Sequence, residues 1–416
     1  MKSSITFFCF LVLIFSTMRA QFIIDTTMSP NIKTVILSGE NDELAPPLLV
    51  LNSEEKLIIR FDQLGDEPQS YRYKIKHCDK DWQIDDMQPY EFINGFDDAP
   101  IENHQFSFTT IENYINYHQS FPAEYSTFLI SGNYVLMVYM QDEPDKILFT
   151  RRFQVSEQIL TTKMESVKTS NYPLENQEIH VAIESPNPEH RHLLNPTYLT
   201  VRIQQNRRLD NQRILPFNNY CGEQLCYKFK DENIFPGGNC YRFFDISNLR
   251  TPMYNVNQIE RFGGETFAIL KPEENRSHTN FSLTKTLMGG MKINVWDRKN
   301  PMIEADYLWV NFCLPAEQPY LMGNLHIVGK LTEWSLGDTS RMEWNPKIKA
   351  YTKRIFLKQG YYSYQILLVP SNETIGQTKY IEGNHYETPN EYFINVYSRW
   401  PGERYDRLIS VGQYIP

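Results

Sequence analysis

The sequence predicts an all-β fold of tandem immunoglobulin-like or early-set β-sandwich modules with few short helices. Three observations carry this. Aromatic residues make up 14% of the chain, with 26 Tyr and 25 Phe, a composition that suits pleated, half-buried strands. Apolar and polar residues alternate with period two in segment after segment, whereas no long segment holds a 3.6-residue apolar period. Pro or Gly interrupts most helical candidates. With 416 residues, 41% hydrophobic and 22% charged, the chain is several domains long and has the composition of a folded protein.

Taken in order, residues 1–20 read as a secretory signal. Lys2 precedes an apolar run from Ile5 to Phe15, and Ser16 to Ala20 form a cleavage region before Gln21. The run is too short to cross a hydrocarbon core about 30 Å thick as a helix, and no later stretch is longer, so no direct membrane insertion is expected. A sandwich needs about 100 residues, so the remainder divides into three modules, 21–156, 157–316 and 317–416. In the first, Lys56–Phe61 reads as a strand. Tyr71, Tyr73, Ile75 and His77 alternate with Arg72, Lys74, Lys76 and Cys78, and Tyr134–Met140 is apolar on both faces, as in a strand enclosed on both sides. In the second, Ile179–Ile183 and Leu199–Ile203 alternate, followed by Met291–Trp296 and Tyr307–Phe312. In the third, Lys353–Leu357, Tyr361–Val369 and Tyr392–Tyr397 read as strands. The segment Gln154 to Glu165 and the segment Pro315 to Pro319 mark the expected boundaries.

Charge narrows the partners. Without residues 1–20 the chain carries 39 Lys and Arg against 50 Asp and Glu, and the excess acid lies wholly in residues 21–156, with 10 cations and 22 acids. Binding to nucleic acid draws its energy from clustered cations, so nucleic acid is not an expected partner, and an anionic membrane surface is disfavoured likewise. No G-x-S-x-G, H-E-x-x-H or G-x-x-x-x-G-K-[ST] string occurs. His77 and Cys78 adjoin, but neighbours in a strand point to opposite faces, so they do not form a thiolate pair. Asp79, Asp81, Asp85 and Asp86 fail the calcium-loop template at Gln83, Ile84 and Tyr90 and read as a polar turn. His190 and His192, among Pro186, Pro188 and Pro196, read as a loop without further zinc ligands. No catalytic residue, metal site or cofactor is predicted. Cys78, Cys221, Cys226, Cys240 and Cys313 remain after processing, and one disulfide among Cys221, Cys226 and Cys240 is expected in an oxidising compartment, its pairing open.

The stretch from Tyr71 through His77-Cys78-Asp79 to Trp82, followed by Tyr90, Ile93-Asn-Gly-Phe96, Ser131-Gly-Asn-Tyr134 and Arg151-Arg-Phe-Gln-Val155, resembles the first domain of the type IX secretion system plug protein family. Phe235-Pro-Gly-Gly-Asn-Cys-Tyr-Arg-Phe-Phe-Asp245, Glu304–Phe312, Leu357–Tyr364, Glu382-Gly-Asn-His-Tyr-Glu-Thr-Pro-Asn390 and Arg404–Leu408 continue the resemblance over essentially the whole mature chain. Cys240 departs from it where an acidic residue is expected. The resemblance implies a non-enzymatic periplasmic protein, monomeric when free, whose partner is the large outer-membrane β-barrel translocon of this system, and which seals the periplasmic opening of that barrel when no cargo is engaged. The residues that touch the barrel are not legible. A rival reading comes from Val328–Trp334 followed by Leu357–Tyr364, which is similar to the early-set sandwiches found as glycogen- or starch-binding modules. On that reading Trp334, Tyr361 and Tyr362 stack on glucan rings.

Overall fold

A computed structural model describes residues 24–170 and 172–416, and the expected signal segment 1–20 lies outside them. Strands dominate. Among the described residues the α-helices are two four-residue turns, Pro89–Phe92 and Pro301–Glu304, each opened by a proline whose missing N–H costs nothing at a first helical position.

In the first sandwich one sheet runs Thr26–Thr27, Ile147–Ser156, Gly132–Met140, Tyr71–Cys78, Asp98–Ile101, with Leu48–Val50 added in parallel to Ile147–Ser156. The facing sheet runs Ile32–Gly39, Leu57–Leu64, Tyr114–Phe121, Asn103–Phe106. Phe61, Tyr73, Ile75, Tyr117, Tyr134 and Phe153 fill the space between them. The alternation read from Tyr71 to His77 holds, because those side chains enter this core while Arg72, Lys74 and Lys76 stay half-buried. Cys78 departs from it and is fully buried. The strand Gly132–Met140 is enclosed on both faces, and its outward Asn133 meets Tyr397 of the next sandwich, whose hydroxyl donates to Asn133 Oδ1 at 2.8 Å.

The second sandwich is made of two pieces of chain. One sheet runs Thr161–Lys168, Asn176–Glu184, Gln224–Tyr227, Asn219–Cys221, with Ile234–Pro236 beside Asn176–Glu184. The other runs Arg213–Leu215, Leu199–Gln205, Tyr392–Ser398, Arg407–Tyr414, so the last two strands of the protein close it. Ile179, Val181, Ile183, Val201, Ile203, Ile394 and Val396 share its core.

The third sandwich occupies the chain between those pieces. Arg242–Asp245, Gly360–Pro370 and Met291–Ile293 form one sheet, with Gly323–Val328 also paired to Gly360–Pro370. They face Val256–Phe262, Glu265–Leu270, Tyr307–Pro315, Ala350–Lys358 and Glu343–Asn345. The expected cut between 157–316 and 317–416 does not follow these sheets. Tyr307–Pro315 pairs along its whole length with Ala350–Lys358 across that cut, and Tyr392–Ser398 pairs with Leu199–Gln205. Strand pairing at such separation is set by register and packing in space, and neither leaves a local mark in the sequence.

Candidate functional site

Polar contacts join the three sandwiches where they meet, and one of them is buried on both sides. Between the first and third, Lys358 Nζ lies 2.5 Å from Asp62 Oδ2, with both side chains at most 1% exposed. Tyr307 donates its hydroxyl to the same oxygen at 2.6 Å, and Asn116 Nδ2 donates to the other at 2.7 Å. Lys358 also donates to the Met302 carbonyl at 2.6 Å and sits 4.1 Å from the centre of the Tyr114 ring. Burial draws its pKa below the ordinary lysine value, with Asp62 opposing that shift. Nearby, Arg151 pairs with Glu333, which also accepts the Thr27 amide at 3.0 Å.

The first and second sandwiches are tied by Arg202 to Asp81, by both arms of Arg407 on Glu157 at 2.9 and 2.7 Å, and by the Lys80 amide on Asp406 at 3.0 Å. A desolvated charge pair adds little net stability, but removing one member strands the other, so such pairs fix relative orientation. Ion pairs and hydrogen bonds thus link the first sandwich to both of the others.

Two crossings carry the chain from the second sandwich into the third and back, and they bond to each other. Asn239 donates to the Glu382 carbonyl at 2.8 Å, the His385 amide donates to the Gly238 carbonyl at 2.8 Å, and Asn390 donates to the Gly237 carbonyl at 2.7 Å. A side chain at Gly237 would place its Cβ 2.1 Å from the His385 carbonyl oxygen, which explains the glycine. Glu382, fully buried, takes Arg242 Nε and Arg276 Nε each at 2.9 Å and the Ile366 amide at 2.7 Å. Burial alone would raise its pKa. The two guanidiniums and the amide outweigh burial and hold it below the ordinary value.

The residues singled out in the sequence are placed as follows. Cys221 and Cys226 form a disulfide across the hairpin Asn219–Cys221/Gln224–Tyr227, with Cα atoms 6.0 Å apart, while Cys240 is buried and free. Tyr362 is a core residue stacked on Phe244 at 5.2 Å, with its hydroxyl donating to the Lys358 carbonyl. It presents no face to a sugar, which corrects the stacking trio. Tyr361, on the opposite face of that strand, lies flat on Phe243 at 5.4 Å. Trp334 is elsewhere, packed against Gly289 and Tyr241 at the wall of an inter-sandwich cleft. Period-two geometry separates Tyr361 from Tyr362, and the sequence alone already implied that conflict. His77 is buried with Nδ1 2.5 Å from Asp85. Asp79 accepts the amides of Asp81 and Gln83 at 2.9 Å each, closing the polar turn. His190 and His192 lie on the exposed 3₁₀ turn Pro188–Leu193. Among the described residues no group of three or more His, Cys, Asp or Glu is placed to hold a metal ion.

The first sandwich is the part that decides kinship, since residues 32–157 match the family described as type 9 secretion system plug protein 1st domain. The chain belongs to the type IX secretion system plug family. A crystal structure of a hypothetical protein from Parabacteroides merdae ATCC 43184 is similar to this plug-family chain from end to end. It is 32% identical, covers 94% of this chain and 99% of that one, and superposes with a TM-score of 0.90. No curated protein matches the chain. Plug-family membership makes the chain a component of a secretion system, and among the described residues no helix is long and apolar enough to cross a membrane.

Proposed function

We propose that this protein is a non-enzymatic, periplasmic plug subunit that docks on the inner opening of the outer-membrane translocon barrel and seals it until cargo engages. The observation that carries the reading is the rigid union of three sandwiches through buried polar contacts, in a chain whose first sandwich matches the plug family. A wide pore left open would dissipate the permeability barrier. Sealing it needs a body that keeps its shape under load, and sheets pinned by desolvated ion pairs have that property. Exposed rings support a protein-binding surface. Phe96 and Tyr125 flank the ribbon Ile93–Asn94/Thr127–Phe128 and are 69% and 89% exposed, with Tyr90 on the turn just before it. The surplus acid of the first sandwich suits a hydrated, reversible interface.

Isolating the barrel from cells should bring this chain with it. Deleting its gene should let a large dye enter the periplasm only in cells that make the barrel. Leakage without the barrel, or a barrel isolated free of this chain, would overturn the reading.

A further inference from the structure

A cleft of about 1100 Å³ opens where the three sandwiches meet. Its walls are largely apolar and include Leu44, Leu48, Leu287, Met288, Met291 and Trp334. Charged groups also border it, and nearly all of them are spoken for. Arg151 holds Glu333, Arg152 holds Asp25, Arg207 holds Glu391 and Asp210 holds Arg208. Lys330 differs. It lies on the cleft wall, and among the described residues no carboxylate comes within 4.0 Å of its ammonium and no hydrogen bond satisfies it. Arg152 also lines the cleft, and its buried guanidinium has Nη1 without an acceptor. A buried guanidinium nitrogen is normally hydrogen-bonded, because leaving it unpaired is costly, so this wall of the cleft lacks an acceptor.

We infer that this cleft binds a ligand carrying a single carboxylate on an apolar body, the carboxylate meeting Lys330 and the body lying along Leu287, Met291 and Trp334. A monoanion fits better than a phosphate. Asp25 and Glu333 stand close enough to Lys330 to act on its charge and would repel a dianion, and no free guanidinium fork is present to clamp one. The volume sits at the upper end of ordinary ligand clefts, so the body is larger than a small metabolite. Two sources share this chemistry, the free C-terminus of an apolar peptide and a fatty acid. The inference concerns the isolated chain and stands whether or not that chain caps a barrel.

The test uses residues 21–416 and calorimetric titration with four probes: acetyl-Phe-Leu-Leu as free acid and as amide, decanoate, and decanol. At least one acid should bind one to one and at least about tenfold more tightly than its neutral counterpart, and which acid does so names the source. Lys330→Met should bring that acid down to the level of its neutral form with little change in melting temperature, since the ammonium makes no hydrogen bond and no ion pair within 4.0 Å. Absence of saturable binding by both acids, equal binding by acid and neutral forms, or an unchanged acid affinity in Lys330→Met would each overturn the inference.

Discussion

Replacing Asp62 by Leu tests whether buried charge holds the first and third sandwiches together. The substitution leaves the Lys358 ammonium, 0% exposed, with the Met302 carbonyl and the rings of Tyr114 and Tyr307 but no opposite charge. It also strips the Asn116 amide of its acceptor and leaves the Tyr307 hydroxyl with Thr34 Oγ1 as its partner. Stranding a buried charge costs about 3–5 kcal/mol, and the orphaned Asn116 donor pushes the value toward the top of that range. Lys358→Met costs less, about 2–3 kcal/mol, because the Asp62 carboxylate keeps both of its other donors. The double variant removes both charges and should recover most of the loss, ending within about 2 kcal/mol of the wild type. Urea unfolding followed by tryptophan fluorescence and by circular dichroism measures each value. The same traces report whether the first sandwich now melts ahead of the other two. A loss below about 1 kcal/mol in Asp62→Leu, or a double variant as unstable as the sum of the singles, would refute the argument that this pair fixes the interface.

Further expectations concern pH and the remaining links. The folded pKa of Glu382 lies below its ordinary 4.5, so its contribution is complete above pH 4.5 and is lost as pH falls through the folded value. Glu382→Gln, which leaves Arg276 uncompensated, should cost about 3 kcal/mol at pH 7 and flatten the acid limb of the stability profile; an unchanged limb would argue against it. Tyrosines such as Tyr73 and Tyr361 are pushed up to about 12 by burial, so their contribution is whole below pH 10 and disappears as pH rises toward those values. Tyrosinate absorbance from these rings should therefore appear together with loss of the circular dichroism signal, and its appearance in an intact fold would contradict their burial. The Cys221–Cys226 disulfide spans only five positions, so Cys221→Ser/Cys226→Ser should lose no more than about 2 kcal/mol in urea, and a loss twice that size would mean the bridge does more than staple a hairpin.

Much of the fold was legible because period-two alternation is local. The runs from Tyr71, Leu199, Tyr307, Tyr361 and Tyr392 all lie in strands, and the double-sided apolar run at Tyr134 marks a strand enclosed by a neighbouring sandwich. The order of the sandwiches was hidden, since nothing near Tyr392 announces that its partner is Gln205. The junction was hidden for a similar reason. Asp62, Lys358, Glu333 and Lys330 look like ordinary surface charges until separations such as the 296 positions between Asp62 and Lys358 are closed in space. The motifs at Phe235–Asp245 and Glu382–Asn390 did carry a signal. Paired glycines, asparagines and prolines in two distant segments are what two crossings in close backbone contact require.

The inserted topology gives those crossings their mechanical meaning. A sandwich joined by one linker can swing about it, whereas one that leaves and re-enters its neighbour has two tethers, and here the tethers bond directly to each other through Asn239, His385 and Asn390. Rotation of the third sandwich against the second would have to break those bonds. Rotation against the first would have to pull Lys358 from Asp62. The first move breaks buried backbone and amide hydrogen bonds and the second leaves a desolvated charge without a partner, so intermediate angles are disfavoured. If the chain caps a barrel as proposed, such a body would be displaced as a whole. Release would then depend on its outer surface, and bending of the body would contribute little.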